Sequence, residues 1–199
     1  MCRLSVSLLL CLLAATQVEA EDFEFIPFVG YRFGGTLESL DATETTDIDS
    51  ANSWGFIVGR SASGNTRYEL LYSRQDSGLA ESPDPNNAFD LEVHYLHLGG
   101  TVDISRDRFI PFVSGGVGMT YMSPAGYGLE DETKFSLSLG GGLKWYPTSS
   151  LGLRLEVRGY GTVSDGNGSL FCDEANCNLR FRGDLMPQFE TNLGLILRF

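Results

Sequence analysis

Between Phe189 and Phe199 the chain alternates without a break. Phe189, Thr191, Leu193, Leu195, Leu197 and Phe199 fall on one face, and Gln188, Glu190, Asn192, Gly194, Ile196 and Arg198 on the other. A period of two is the signature of a β-strand whose faces meet different surroundings. The same pattern recurs upstream. Leu151, Leu153, Leu155 and Val157 oppose Arg154, Glu156, Arg158 and Tyr160, while Phe135, Leu137, Leu139, Leu143 and Trp145 oppose Ser136, Ser138, Gly140, Gly142 and Lys144. No comparable 3.6-residue periodicity is visible, so the chain reads as all-β.

Five further strands are read at 23–34, 52–60, 66–74, 89–103 and 108–122. In the fourth strand, Leu91-Glu92-Val93-His94-Tyr95-Leu96-His97-Leu98 changes phase, which suggests a β-bulge. The connections alternate strictly. Segments 61–65, 104–107 and 147–150 are short; segments 36–51, 75–88, 123–132 and 162–185 are long. Eight antiparallel strands with alternating short and long connections are the pattern of a bacterial outer-membrane barrel, with short periplasmic turns and long extracellular loops. The expected fold is therefore an eight-stranded antiparallel up-and-down transmembrane β-barrel over residues 21–199.

Residues 1–20 read as a cleaved export signal. Arg3 gives the positive start, 4–15 the apolar core, and Val18-Glu19-Ala20 the small-residue cleavage site. No later stretch has the roughly 18 consecutive apolar residues that a membrane-spanning helix needs. Removal of the signal leaves Cys172 and Cys177 of the four cysteines. In an oxidising compartment they are expected to pair, stabilising one loop by about 2 kcal/mol. The net charge of −12 argues against a nucleic-acid partner.

The barrel interior of eight strands is just wide enough for side chains. A soluble barrel would hide the leucine rows; a membrane barrel turns them to lipid and encloses the charges. Aromatic residues gather towards the strand ends, as interfacial girdles do. The inward set is then Arg32, Arg67, Glu69, Lys144, Arg154, Glu156, Arg158, Glu190 and Arg198. A buried charge is costly unless paired, so these residues are expected to form a lumen ion-pair network. Small inward residues on the fifth and sixth strands either make room for long arginines or leave a narrow water path.

Pro27-Phe28-Val29-Gly30-Tyr31-Arg32-Phe33-Gly34-Gly35, Leu98-Gly99-Gly100-Thr101, Pro111-Phe112-Val113 and the terminal Phe199 resemble the small eight-stranded outer-membrane barrels, the group of OmpX, OmpW and the OmpA transmembrane domain. The resemblance spans the whole chain after the signal. It implies an outer-membrane location, contact with outer-membrane lipid and lipopolysaccharide, and a C-terminal Phe199 read by the barrel-assembly machinery. It leaves function open, because that group includes adhesins, narrow pores and lipid A enzymes.

Other chemistry is sparse. Gly115-Gly116-Val117-Gly118 lies inside a strand with no following helix, so it lacks the context of a phosphate loop. His94 and His97, three apart on a strand, face opposite ways unless a bulge intervenes, and no catalytic serine motif accompanies them. Asp165-Gly166-Asn167-Gly168-Ser169 resembles the start of a calcium loop but has Asn176 at the twelfth position. No catalytic residue, metal ligand or cofactor is expected. The long connections are acidic: 36–51 holds Glu38, Asp41, Glu44, Asp47 and Asp49 with no Lys or Arg. The last loop adds Asp173, Glu174, Arg180 and Arg182, which make it the expected binding loop for an unidentified extracellular ligand. The expected role is non-enzymatic surface interaction or envelope structure, with a narrow solute pore and a lipid A-modifying enzyme as alternatives.

Overall fold

The structure is a computed structural model and describes residues 23–34, 36–39, 45–47, 50–78, 90–105, 107–125, 131–163, 169–173, 176–180 and 185–199. The expected export signal at 1–20 and its cleavage site lie outside the described residues.

Eight strands form the barrel: β1 (Phe23–Phe33), β4 (Ala51–Ser61), β5 (Thr66–Gly78), β6 (Asp90–Asp103), β7 (Phe109–Ala125), β8 (Glu132–Trp145), β9 (Leu151–Val163) and β12 (Leu185–Arg198). Around the ring the order is β1-β12-β9-β8-β7-β6-β5-β4, every neighbour antiparallel, with β4 closing on β1. Closure leaves no open strand edge, the condition for a sheet to exist in lipid. The first and last strands are stitched at their ends: Phe23 N–H donates to Phe199 O at 3.1 Å and Phe199 N–H to Phe23 O at 3.0 Å. In the short connection between β4 and β5, Gly64 has a φ of 75°, which a side chain would strain.

The alternation sorts side chains as the two-residue period requires. On β9, Leu151, Leu153, Leu155 and Val157 are exposed, while Arg154, Glu156, Arg158 and Tyr160 are buried. On β12, Phe189, Leu193 and Leu195 point out and Glu190, Asn192 and Ile196 point in. Leucine rows this exposed around a closed cylinder have no soluble rationale, because water would penalise every one of them.

One expectation is corrected, and two features add to it. The phase change in the fourth strand is not a bulge. The register of β6 runs unbroken from Asp90 to Val102 against β5 and from Asp90 to Asp103 against β7. Leu91, Val93, Tyr95 and His97 all point inward, and apolar residues on the inner face produced the confusing pattern. The interior also holds an apolar patch, formed by Ile26, Phe28, Ile57, Leu71 and Ile196. The first and last long connections also form strands. They carry β2 (Thr36–Ser39), β3 (Thr45–Asp47), β10 (Ser169–Asp173) and β11 (Asn176–Arg180), joined as one sheet in the order β10-β11-β2-β3. The link between the two loops is the pairing of Leu179 with Ser39 and of Arg180 with Glu38. Several barrel strands also overrun the expected boundaries, β5 to Gly78 and β7 to Ala125.

Candidate functional site

The chemistry of the chain is concentrated in the lumen, which is crossed by layers of paired groups. At the end bearing the short turns, Glu24 collects three partners. Arg198 reaches it at 2.8 Å, Arg67 at 3.2 Å, and the Tyr146 hydroxyl donates to it at 3.0 Å. The Arg198 guanidinium lies 4.3 Å from the centre of the Tyr146 ring. One step further in, Lys144 pairs with Asp103 at 2.7 Å.

The middle layer is the densest. The Arg154 guanidinium grips both oxygens of Glu69, at 2.6 and 3.1 Å, and its Nε donates to Glu156 at 3.1 Å. The other oxygen of Glu156 accepts from Arg158 at 2.8 Å and from the Ser114 hydroxyl at 2.5 Å. Arg154 also lies over the Phe112 ring, 4.4 Å from its centre. Bidentate, charge-assisted pairs of this kind are the strong class of hydrogen bond, and several together offset the cost of taking ions out of water.

Above this layer, both nitrogens of His97 meet serine hydroxyls: Ser138 at 2.8 Å and Ser136 at 2.7 Å. The Tyr95 and Tyr160 rings stack at 4.1 Å. Arg32 sits over both rings, at 4.8 and 5.2 Å, and pairs with Glu190 at 2.7 Å. Glu190 is also bonded by Ser73 and Tyr160, and Arg32 donates to Ser73. Further along, the Tyr95 hydroxyl donates to Gln188 at 2.7 Å and Thr120 bonds Thr162 at 2.8 Å. Leu91, Val93, Met122 and Met186, all buried, then face inward towards the end bearing the long connections.

Space is made for these side chains by the inward small residues of β7 and β8. A Cβ at Gly118 would sit 2.0 Å from the Leu96 carbonyl and 2.7 Å from His97. One at Gly140 would meet a Glu156 oxygen at 2.9 Å. The space bounded by Glu69, Leu71, His97 and Arg158 has no room for a water molecule. Of the two expectations for these small residues, this layer follows the first, room for long side chains.

The structure thus places Arg32, Arg67, Glu69, Lys144, Arg154, Glu156, Arg158, Glu190 and Arg198 on the inner face, each in at least one ion pair. Sequence reasoning missed Glu24, Asp103 and His97. Glu24 keeps phase with Ile26, Phe28, Gly30 and Arg32, which is the signal that identifies it.

His94 is on the opposite face from His97. It accepts or donates at 2.9 Å to the Tyr72 hydroxyl and at 3.3 Å to Glu92, and Arg74 bridges Glu92 and Asp76. The only serines bonded to a histidine among the described residues, Ser136 and Ser138, are sealed in the lumen with His97. At the start of β8, Asp131 accepts from Tyr121 and from Ser123, and these bonds hold its carboxyl below the usual range. No cluster of three or more His, Cys, Asp or Glu suited to a metal occurs among the described residues.

In the four-stranded sheet, the backbone register sets Cys172 opposite Cys177, Asp173 opposite Asn176, and Arg180 opposite both Ser169 and Glu38. Of the other expected loop residues, Glu174 and Arg182 lie outside the described residues.

A family model described as outer membrane protein beta-barrel domain matches residues 5–181. Among solved structures, Neisserial surface protein A is similar with a TM-score of 0.62 at 13% identity, covering 89% of this chain and 97% of that one. OprG of Pseudomonas aeruginosa gives 0.59 at 12% identity, covering 90% and 96%. Ail, the attachment invasion locus protein of Yersinia pestis, gives 0.51 at 16% identity, covering 90% and 99%. At these identities the likeness is one of fold. No curated protein matches the chain by sequence.

Proposed function

The chain belongs to the outer membrane protein β-barrel family, and from that premise we propose that it is a non-enzymatic barrel of the bacterial outer membrane that acts through its extracellular end. The observation that carries this reading is the filled lumen. Arg154 reaches across it to Glu69, and the layers on either side are closed by paired side chains rather than by solvent. A conduit would need the space these groups occupy.

Under this reading the short turns and both termini lie in the periplasm and the long connections face outward. The sheet formed by β10, β11, β2 and β3 then gives the outer end a platform built from the first and last loops. A loop pinned on a rigid scaffold is where recognition tends to reside. The acidic residues of the long connections favour a cationic or divalent-bridged partner over an anionic one. The reading includes removal of residues 1–20 on export by a Gram-negative cell, Phe199 as the handle for the assembly machinery, and lipopolysaccharide as the surrounding outer lipid. It also includes a Cys172–Cys177 disulfide. Opposed residues on antiparallel strands have Cα atoms about 4.5–5.5 Å apart, within the range a disulfide spans.

The test is replacement of residues 169–180 by a short Gly-Ser turn in cells displaying the full chain. Cell attachment to surfaces and to soluble proteins should fall, while the barrel still folds and lipid A keeps its composition by mass spectrometry. Unchanged attachment together with altered lipid A would overturn the reading in favour of an enzyme.

A further inference from the structure

The outward face of β1 and β12 is not smooth. A groove of about 580 Å³ is bounded by Val29, Tyr31, Trp54, Leu155, Thr191 and Leu193. A second, of about 270 Å³, is bounded by Pro27, Val29, Leu153, Leu193 and Leu195. They share Val29 and Leu193, so they form one trough along the strands. It arises because the short side chains of Val29 and Thr191 lie among the longer Tyr31, Trp54 and Leu155. From Pro27 to Tyr31 the strand rises about 13 Å.

The trough is polarised. Its lower end is walled by Pro27, Leu153 and Leu195. Its upper end gathers a phenol, a carboxamide, a hydroxyl and an indole N–H from Tyr31, Asn52, Thr191 and Trp54. Thr191 is the one polar side chain in the outward row Phe189, Thr191, Leu193, Leu195, Leu197. None of these four polar groups has a side-chain hydrogen bond among the described residues. The stacked pair Phe33 and Phe189, with ring centres 6.0 Å apart, lies one residue pair further towards the long connections. The four polar groups therefore sit just inside the aromatic girdle, where water is scarce and an unmet hydrogen bond is costly.

We propose that this trough seats one lipid of the outer leaflet, an acyl chain lying along Val29 and Leu193 and the carbonyl of its ester or amide linkage held by Thr191, Asn52 and Tyr31. The leaflet rests on the orientation proposed above; the seat itself does not. The polarity of the trough fits a lipid whose head points towards the long connections and whose chain points towards the membrane centre.

Trp54 is a built-in reporter, since the chain has two tryptophans. The full chain carrying Trp145→Phe is folded in detergent and titrated with a phospholipid whose acyl chains are brominated. Fluorescence of Trp54 should fall saturably, to completion near one lipid per barrel. Leu193→Phe, which fills the trough while staying apolar, should abolish the saturable phase and leave only a linear one. Thr191→Val with Asn52→Ala should weaken it several-fold. Folded mobility on a gel and unchanged strand circular dichroism check that each variant retains the barrel. Linear quenching in every protein, or saturation that Leu193→Phe leaves untouched, would overturn the proposal. Because the experiment needs neither cells nor loops, its failure is distinct from failure of the surface-interaction reading.

Discussion

Arg154 and Glu69 face each other across the full width of the barrel. β9 and β5 are four strands apart around an eight-strand ring, and the guanidinium holds both carboxylate oxygens at 2.6 and 3.1 Å. Both residues are buried. Removing one partner leaves an uncompensated ion in the lumen. Glu69→Leu, or Glu156→Leu, which strips a partner from both Arg154 and Arg158, should each cost about 3–5 kcal/mol. Glu69→Leu combined with Arg154→Met should recover most of the loss, since the pair leaves together. Urea unfolding in lipid vesicles measures all three, and additive losses in the double variant would mean the two residues are not coupled.

Leu155 is 49% exposed on the outer face, midway along β9. If that face meets hydrocarbon, Leu155→Arg should cost about 2–4 kcal/mol near the membrane midplane. The same change on a water-facing surface would be nearly free. Equilibrium unfolding from vesicles, with Leu155→Ala as the size control, separates the two.

Gly118 shows why the inner face of β7 is built of small residues. A Cβ there falls 2.0 Å from a backbone carbonyl of β6, which cannot swing aside as a side-chain tip can. Gly118→Leu should therefore destabilise by about 1–3 kcal/mol or more and displace His97 from its serines. Gly64→Ala meets no atom within 4 Å and tests instead the φ of 75°. It should cost no more than about 1–2 kcal/mol. A reversed ranking of the two would contradict the packing described here.

The facing of Cys172 and Cys177 across the β10–β11 hairpin makes a redox prediction. Protein exported by cells should react with a thiol probe only after reduction, and then at two positions. Protein made in the reducing cytosol should react without it. A free thiol in the exported chain would remove the disulfide from the account.

Most of the barrel was legible in the sequence because lipid and lumen differ so strongly in polarity. The alternation on β8, β9 and β12 needed no tertiary information. It failed on β6, where Leu91, Val93 and Tyr95 are apolar and inward. A period of two reveals facing only when each face keeps one chemistry; here the inner row runs Leu91, Val93, Tyr95, His97 and the outer row Glu92, His94, Leu96, Leu98, so the polar face changes sides partway along. The arginines and glutamates of the lumen announced themselves as charges on polar faces, but their partners did not. Which strands sit opposite across a ring depends on closure, and closure has no local signal. Glu24 and Asp103 were overlooked because they lie at strand ends, where an acidic residue usually meets water. The strands β2, β3, β10 and β11 were hidden for a different reason. They are three to five residues long, and β11 and β2 pair across most of the chain length.

Everything functional in this account depends on a lumen plugged by its own side chains. The direct measurement is single-channel conductance of the folded full chain in planar bilayers, over both polarities. The account predicts a flat trace, with no discrete steps above the bare membrane, because the Arg154–Glu69 crossing and the paired layers around it occupy the lumen. Stable, protein-dependent steps of uniform size from the unmodified chain would show an open conduit and contradict it.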